Sequence, residues 1–415
     1  MTLNCILFIE ASITGAGEVA CAHAKRAGLI VVLMSADPQR YGERILAHCD
    51  IVRVVDTTSA AALIAHADIV ARKHSIVGVV TTSDFHVVQT ATLAAQLDLP
   101  GNSPDVVDTI KDKFKMREAI ARIAPGLNPA YTQAHTVDDA LQFGASAGYP
   151  LVAKPLTGND SLYVKLIEHP DALHAYFDAR KRWGRDVSGQ EFAHGVLLEE
   201  AIGGDEYCLD LLRAPGGNLI SIGAFSKKIS GRDIGHFIKI GASFPADLRN
   251  TEQLVDAIAP VVDALGFEVG AINIDCKIVD GDQVKILEMN PRLVGDQMGS
   301  HMIEIATGQN PAHAIVDVAC GLPLLWQPTR SRGVAIHRLT MPRSGYFDGI
   351  SNGAELAAHD GVEFVNELRA RGQWIETAES NQGVVGSIIV SQPSANEAMT
   401  LATRLAADAK IRVTL

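Results

Sequence analysis

Residues 270–290, GAINIDCKIVDGDQVKILEMN, read as two strands of alternating character joined at Asp280-Gly281, and no other stretch limits the fold as much. Asp-Gly between two period-two runs is among the strongest short-range signals for a tight antiparallel hairpin, because both residues tolerate left-handed backbone. An antiparallel sheet is therefore required past the middle of the chain. With those two residues as the loop, Val279 faces Asp282, Asn273 faces Glu288 and Asp275 faces Ile286. Side chains at 271, 273 and 275 then share one face with those at 286, 288 and 290. Asp275 and Glu288 become diagonal neighbours, roughly 7–8 Å apart at the backbone and within reach of one cation. Asn290 and Arg292 continue that face, while Ile272, Ile274, Cys276 and Leu287 point into the opposite, apolar layer.

The first hundred residues follow another rhythm. Apolar runs at 5–9 (CILFI), 29–34 (LIVVLM) and 76–80 (IVGVV) alternate with helical periodicity at 18–27, 60–72 and 86–97. Strands separated by helices of that length imply parallel βαβ units with right-handed crossovers. Ligands collect at the carboxyl ends of such strands. The loops there are 10–18 (EASITGAGE) and 81–84 (TTSD), which makes Ser83 and Asp84 candidates for substrate contact. Gly15-Ala16-Gly17 invites a dinucleotide-binding reading, but Ala20 replaces the third glycine and no acid ends the second strand, so a tight turn is the expectation.

After PGNSP at 100–104 a basic helix is expected over 106–123, followed by strands at 150–154, 196–200, 207–212 and 219–225. Beyond residue 330, strands at 332–339, 362–368 and 384–391 precede a helix over 395–409. The expected organisation is an N-terminal parallel Rossmann-like βαβ domain over 1–105 and an α+β domain over 106–326, with lobes about 106–198 and 199–326. A small α+β domain over 327–415 completes the mixed α/β and α+β chain.

At 415 residues, with 36 Lys and Arg against 48 Asp and Glu, the chain carries a net charge of −12. That balance argues against non-specific nucleic-acid or anionic-membrane partners. The longest apolar run, 29–34, is far short of the ~18 residues a membrane span needs, and no basic n-region suggests a signal peptide. Cys5, Cys21, Cys49, Cys208, Cys276 and Cys320 are scattered without a CxxC pair. Neither zinc nor a disulfide framework is expected, and the pattern fits a cytoplasmic location. A homodimer is compatible with an acidic protein of this size.

Carboxylates plus an amide oxygen are hard ligands, so Asp275, Glu288 and Asn290 point to Mg²⁺, with Mn²⁺ able to substitute. The same residues carry a resemblance. Glu288-Met-Asn290-Pro-Arg292, with an acid thirteen residues earlier, resembles the metal hairpin of the ATP-grasp ligases. Asp112-Lys113-Phe-Lys-Met-Arg117 resembles the start of their ATP-binding domain, and Tyr149-Pro-Leu-Val-Ala-Lys154-Pro155 their second lysine strand. Residues 196–207, VLLEEAIGGDEY, resemble the adenine hinge and ribose acid. Residues 293–308 and the C-terminal unit resemble L-amino acid ligases, which join two amino acids into a dipeptide.

The resemblance implies ATP as cofactor, held by Lys113, Lys154, the backbone of Glu199, Glu200, Ala201 and Ile202, and Glu206 on the ribose. Gly158 and Ser161 would belong to a phosphate-covering loop in which Asp160 stands where glycine is common. Of Lys227 and Lys228, Lys228 is taken as the phosphate contact. Arg292 and His236 are implied as catalytic residues, and both belong with Gly295 to the implied substrate pocket. The expected reaction is an ATP-dependent joining of a carboxylate to an amine through an acyl phosphate, on small amino-acid-like substrates. Other ATP-grasp ligases (a carboxylase, or a purine- or siderophore-pathway ligase) would share the nucleotide residues.

Overall fold

The computed structural model describes residues 3–158, 161–186, 189–377 and 381–415. Strands β1 (Leu3–Ile9), β2 (Ile30–Ser35), β3 (Ile51–Val54) and β4 (His74–Val80) form a parallel sheet in the order β3-β2-β1-β4. β3 was not anticipated: only four residues, IVRV, make its period-two signal. The glycines after β1 act sterically. A Cβ on Gly15 would collide with the Asp296 carbonyl, and one on Gly17 with the Ser12 carbonyl, so the loop is a close-packed turn.

The basic segment expected as one helix is two, Pro104–Lys111 and Lys113–Ile123. Asp112 breaks it: its backbone is extended, and its carboxylate accepts the Phe114 and Lys115 N–H groups at 2.9 and 3.0 Å. Such an N-cap is worth about 1 kcal/mol, and it puts Lys113 in the first turn of the new helix.

Strands β5 (Tyr131–Ala134), β6 (Leu151–Pro155), β7 (Lys165–Ile167) and β8 (Val196–Glu200) make a small antiparallel sheet in the order β5-β8-β6-β7. The large sheet contains β9 (Asp205–Arg213), β10 (Leu219–Ser230), β11 (Ile238–Phe244), β12 (Gly270–Val279) and β13 (Gln283–Asn290). It does not stop at residue 326. β14 (Gly333–Thr340) pairs with β11, and β18 (Val384–Gln392) and β16 (Val362–Glu367) extend the order to β13-β12-β9-β10-β11-β14-β18-β16. Strands β15 (Gly345–Ile350), β17 (Trp374–Ile375) and β19 (Ile411–Thr414) form a small third sheet.

The hairpin forms, but in a different register. Val279 pairs with Gln283, so the loop spans residues 280–282. Continued unbroken, that register would turn Glu288 away from Asp275, since a one-residue slip flips every side chain. A bulge corrects it. Cys276 pairs with Ile286, Asp275 with Glu288 and Asn273 with Asn290, leaving Leu287 as the extra residue. The two acids are therefore directly opposed, not diagonal. Ile286, not Leu287, packs in the core with Ile272, Ile274, Cys276, Ile258 and Val262.

Candidate active site

A cavity of about 750 Å³ lies between the two sheets and reaches the carboxyl ends of the N-terminal strands. Its size suits a nucleotide with a small substrate. Among the described residues, ten cationic and seven carboxylate side chains line it. That excess of positive charge, in a chain of net charge −12, favours a polyanion.

The hairpin supplies one wall. Asp275 Oδ2 accepts from Lys227 Nζ at 2.7 Å, while Oδ1 is buried with no hydrogen-bond partner. Burial works against the Asp275 charge, but Lys227 and Lys239 hold its carboxyl down at about 2. Glu288 lies 2.9 Å from Lys113 Nζ. Burial opposes ionisation there too, and Lys113, Lys111 and Lys154 hold the carboxyl below its ordinary range. No cluster of three or more His, Cys, Asp or Glu side chains suited to a metal occurs among the described residues. A cation at this wall would therefore rest on two carboxylates and the Asn290 amide, leaving positions for phosphate and water, as Mg²⁺ prefers. The orphaned Oδ1 fits that arrangement.

Opposite stand the lysines. Lys113 Nζ also donates to the Gly158 carbonyl at 3.0 Å. Lys154 Nζ is 2.7 Å from Glu199 Oε2 and donates to the Leu287 carbonyl at 3.3 Å. Lys115 turns outward to Asp108. Gly158 and Ser161 line the cavity with left-handed backbone, φ 107° and 55°; Asp160 lies outside the described residues. In the hinge, Glu199 is a buried counter-ion of Arg117 and Lys154, while Glu200, Ala201 and Ile202 line the cavity. Glu206 also lines it, 3.0 Å from Lys227 Nζ. Lys227, not Lys228, is the lysine on the wall; Lys228 lies on the other face of β10 and is exposed.

At the far end, Arg292 Nε sits 3.2 Å from Asp84 Oδ1, and Lys111 Nζ 2.7 Å from Oδ2. Ser83 Oγ meets His86 Nδ1 at 2.9 Å, His86 Nε2 meets Thr57 Oγ1 at 3.2 Å, and Thr57 donates to the buried Glu10 at 3.0 Å. The strand expected at 76–80 thus delivers Asp84 to Arg292, more than two hundred residues away in the chain. Gly295 lines the same end. His236 does not: its Nε2 accepts from Lys165 Nζ at 2.8 Å, and its neighbour Phe237 is the lining residue.

Several residues here were not singled out from the sequence. Lys277, on the same face as Asp275, donates to the Ile202 carbonyl at 2.7 Å. Burial, with Arg232 nearby, pushes its ammonium down to about 8. Two-residue spacing from Asp275 was the available signal. Lys239 and the Asp296–Arg338 ion pair complete the far wall; they converge from distant strands, so no local pattern marks them.

Family models and known proteins match the chain along most of its length. Residues 21–101 match the ATP-grasp N-terminal domain, 147–301 the ATP-grasp domain, and 337–414 the L-amino acid ligase C-terminal domain 2. Protein y4rH of Sinorhizobium fredii is 25% identical over 389 residues, covering 92% of this chain and 77% of its own. Carnosine synthase 1 of Gallus gallus is 27% identical over 253 residues, 58% of this chain, which spans only 27% of that protein. The crystal structure of an L-amino acid ligase from Bacillus licheniformis superposes over 100% of both chains with a TM-score of 0.81 at 20% identity, a likeness of fold. These three models together cover most of the chain: it carries an ATP-grasp domain, with an ATP-grasp N-terminal domain before it and an L-amino acid ligase C-terminal domain after it, the domain set of an ATP-dependent ligase.

Proposed function

We propose that the chain joins two amino-acid-like substrates through an amide bond, forming a dipeptide by way of an acyl phosphate and releasing ADP and phosphate. The observation that carries this reading is the Asp275–Glu288 pair, aligned by the bulge and placed between the two cavity lysines and Arg292. ATP would lie with its base at residues 200–202, its ribose at Glu206 and its phosphates between Lys113, Lys154 and the loop at Gly158. A divalent cation, Mg²⁺ with Mn²⁺ able to substitute, would be held by Asp275, Glu288 and Asn290 and would neutralise phosphate charge. Phosphoryl transfer is catalysed mainly by positioning and electrostatics. Arg292 is set to hold the attacking carboxylate beside the γ-phosphate, with Ser83 and Asp84 orienting that substrate. The amine of the second substrate then attacks the acyl carbonyl, and phosphate leaves. An acyl phosphate hydrolyses readily, so substrates that fill the cavity would protect it by displacing water.

ADP formation measured with amino acids singly and in pairs, with product mass, tests this. It should require two substrates and fall about 10³-fold or more in Glu288→Ala, at a melting temperature within a few degrees of the parent. Turnover unchanged in that variant would remove the hairpin from the mechanism. Release dependent on bicarbonate or a nucleotide precursor would assign the chain to another ligase of the superfamily.

A further inference from the structure

The far wall of the cavity carries one cation that is bonded to no acid among the described residues; Asp275 and Asp296 act on it only through space. Lys239, half-buried on β11, lines the cavity, yet its ammonium makes no hydrogen bond or ion pair among the described residues. Its backbone is held from both sides: Asn381 Oδ1 accepts its N–H at 2.9 Å, and Arg338 Nη1 donates to its carbonyl at 3.1 Å. Those bonds fix the backbone from which the side chain enters the cavity.

The acids around it are engaged elsewhere. Asp275 is paired with Lys227, Asp296 with Arg338, and Asp84 with Lys111 and Arg292. The charged neighbours of Lys239 include two further cations, Lys227 and Arg338, and the acid Asp275; burial and the two cations outweigh Asp275 and lower its affinity for a proton. An ammonium that opens on the cavity between two other cations is stabilised when an anion joins it. The nucleotide already has Lys113 and Lys154 on the opposite lobe. Lys239 instead lies on the strand that joins the large lobe to β14, beside the Asp296–Arg338 pair and away from the hinge.

We propose that Lys239 anchors an anionic group of the substrate that is not the reacting carboxylate, so that one of the two substrates is an acidic amino acid or a similar dicarboxylate. The inference rests on the carboxylate–amine ligase reading and narrows its substrate class. Glutamate and aspartate would present the second carboxylate to Lys239, whereas glutamine and asparagine would leave the ammonium without a counter-charge.

The experiment compares glutamate with glutamine, and aspartate with asparagine, in pairs with other amino acids. In the wild type kcat/KM should favour the acidic member. Lys239→Met should raise the KM of the acidic substrate about 10–100-fold, the worth of one charge-assisted hydrogen bond, with the KM of ATP moved by less than about twofold. Lys239→Gln, polar where Met is not, guards against misfolding and should behave likewise. Equal use of acidic and neutral substrates by the wild type overturns the inference. So does a Lys239→Met variant that loses turnover with every substrate and raises the KM of ATP alike, the mark of a phosphate contact. Thermal stabilisation by glutamate against glutamine, with a non-hydrolysable ATP analogue and Mg²⁺, reads the same site without turnover. A larger effect of glutamate that disappears in Lys239→Met supports the anchor, and equal effects refute it. Absence of ADP formation with every amine and carboxylate tried would count against the ligase reading instead.

Discussion

Asp210 illustrates how burial sets the chemistry of a single residue. It is fully buried on β9, where Oδ1 accepts from Asn273 Nδ2 at 2.7 Å and Oδ2 from the Val294 N–H at 3.4 Å. Burial outweighs those bonds and pushes its carboxyl up from 3.8 to about 7. Between those two values the folded chain holds a proton that the unfolded chain has released. Stability present below about pH 4 is therefore lost as pH rises towards 7. Asp210→Asn has no such proton to lose. Relative to the wild type it should gain roughly 2–3 kcal/mol between pH 5 and 7.5, read as a melting-temperature difference that widens by a few degrees. Parallel curves for the two proteins would show that Asp210 is ionised in the folded state. The sequence held no hint of this: DLLR in a strand looks like any half-buried run, and only the neighbours packed around it decide how the group titrates.

At the scale of an element, the bulge at Leu287 decides whether the hairpin can serve as a metal wall. Arg117 clamps it. The guanidinium, fully buried, donates from Nη1 to the Ile286 carbonyl at 2.7 Å, from Nη2 to the Leu287 carbonyl at 2.8 Å and from Nε to Glu199 at 2.6 Å. Arg117→Met would leave Glu199 and two carbonyls with fewer partners, which costs about 3–5 kcal/mol when a buried charge loses its mate. Melting should fall, and the Mn²⁺ or Mg²⁺ concentration needed for half-maximal ADP formation should rise about tenfold or more as Glu288 loses its alignment. A variant that melts earlier but keeps its metal requirement would show that strand pairing alone holds the bulge. The hairpin itself was legible from Asp280-Gly281, because turn chemistry is local. Its register was not, because a bulge is selected by a side chain that arrives from a helix far earlier in the chain. The single helix expected over 106–123 failed for the converse reason: a local cap at Asp112 was present in the sequence but overlooked beneath the helical periodicity.

Across the whole molecule, the cavity exists only because four segments meet. The N-terminal sheet contributes Asp84, the small sheet Lys154, the large sheet Asp275 and Glu288, and the C-terminal strands Arg338. The Asp84–Arg292 contact is one electrostatic link between the N-terminal domain and the chain that follows the hairpin. Asp84→Ala would free Arg292 and Lys111 to swing. The KM of the carboxylate substrate should rise about tenfold while ATP still stabilises the protein against heat, since the nucleotide wall is untouched. Loss of both effects together would place Asp84 in the nucleotide half of the site. The parallel rhythm of residues 5–97, the Asp-Gly turn, and the lysines and carboxylates of the resemblance were all readable from the sequence alone. Periodicity and turn chemistry act over a few residues, and a motif keeps its order along the chain. Sheet order, the continuation of the large sheet into β14, the choice of Lys227 over Lys228 and the unpaired Lys239 were decided by the tertiary structure. Each depends on which strands pair and which charges are desolvated together, and those are properties of packing between residues far apart in the chain.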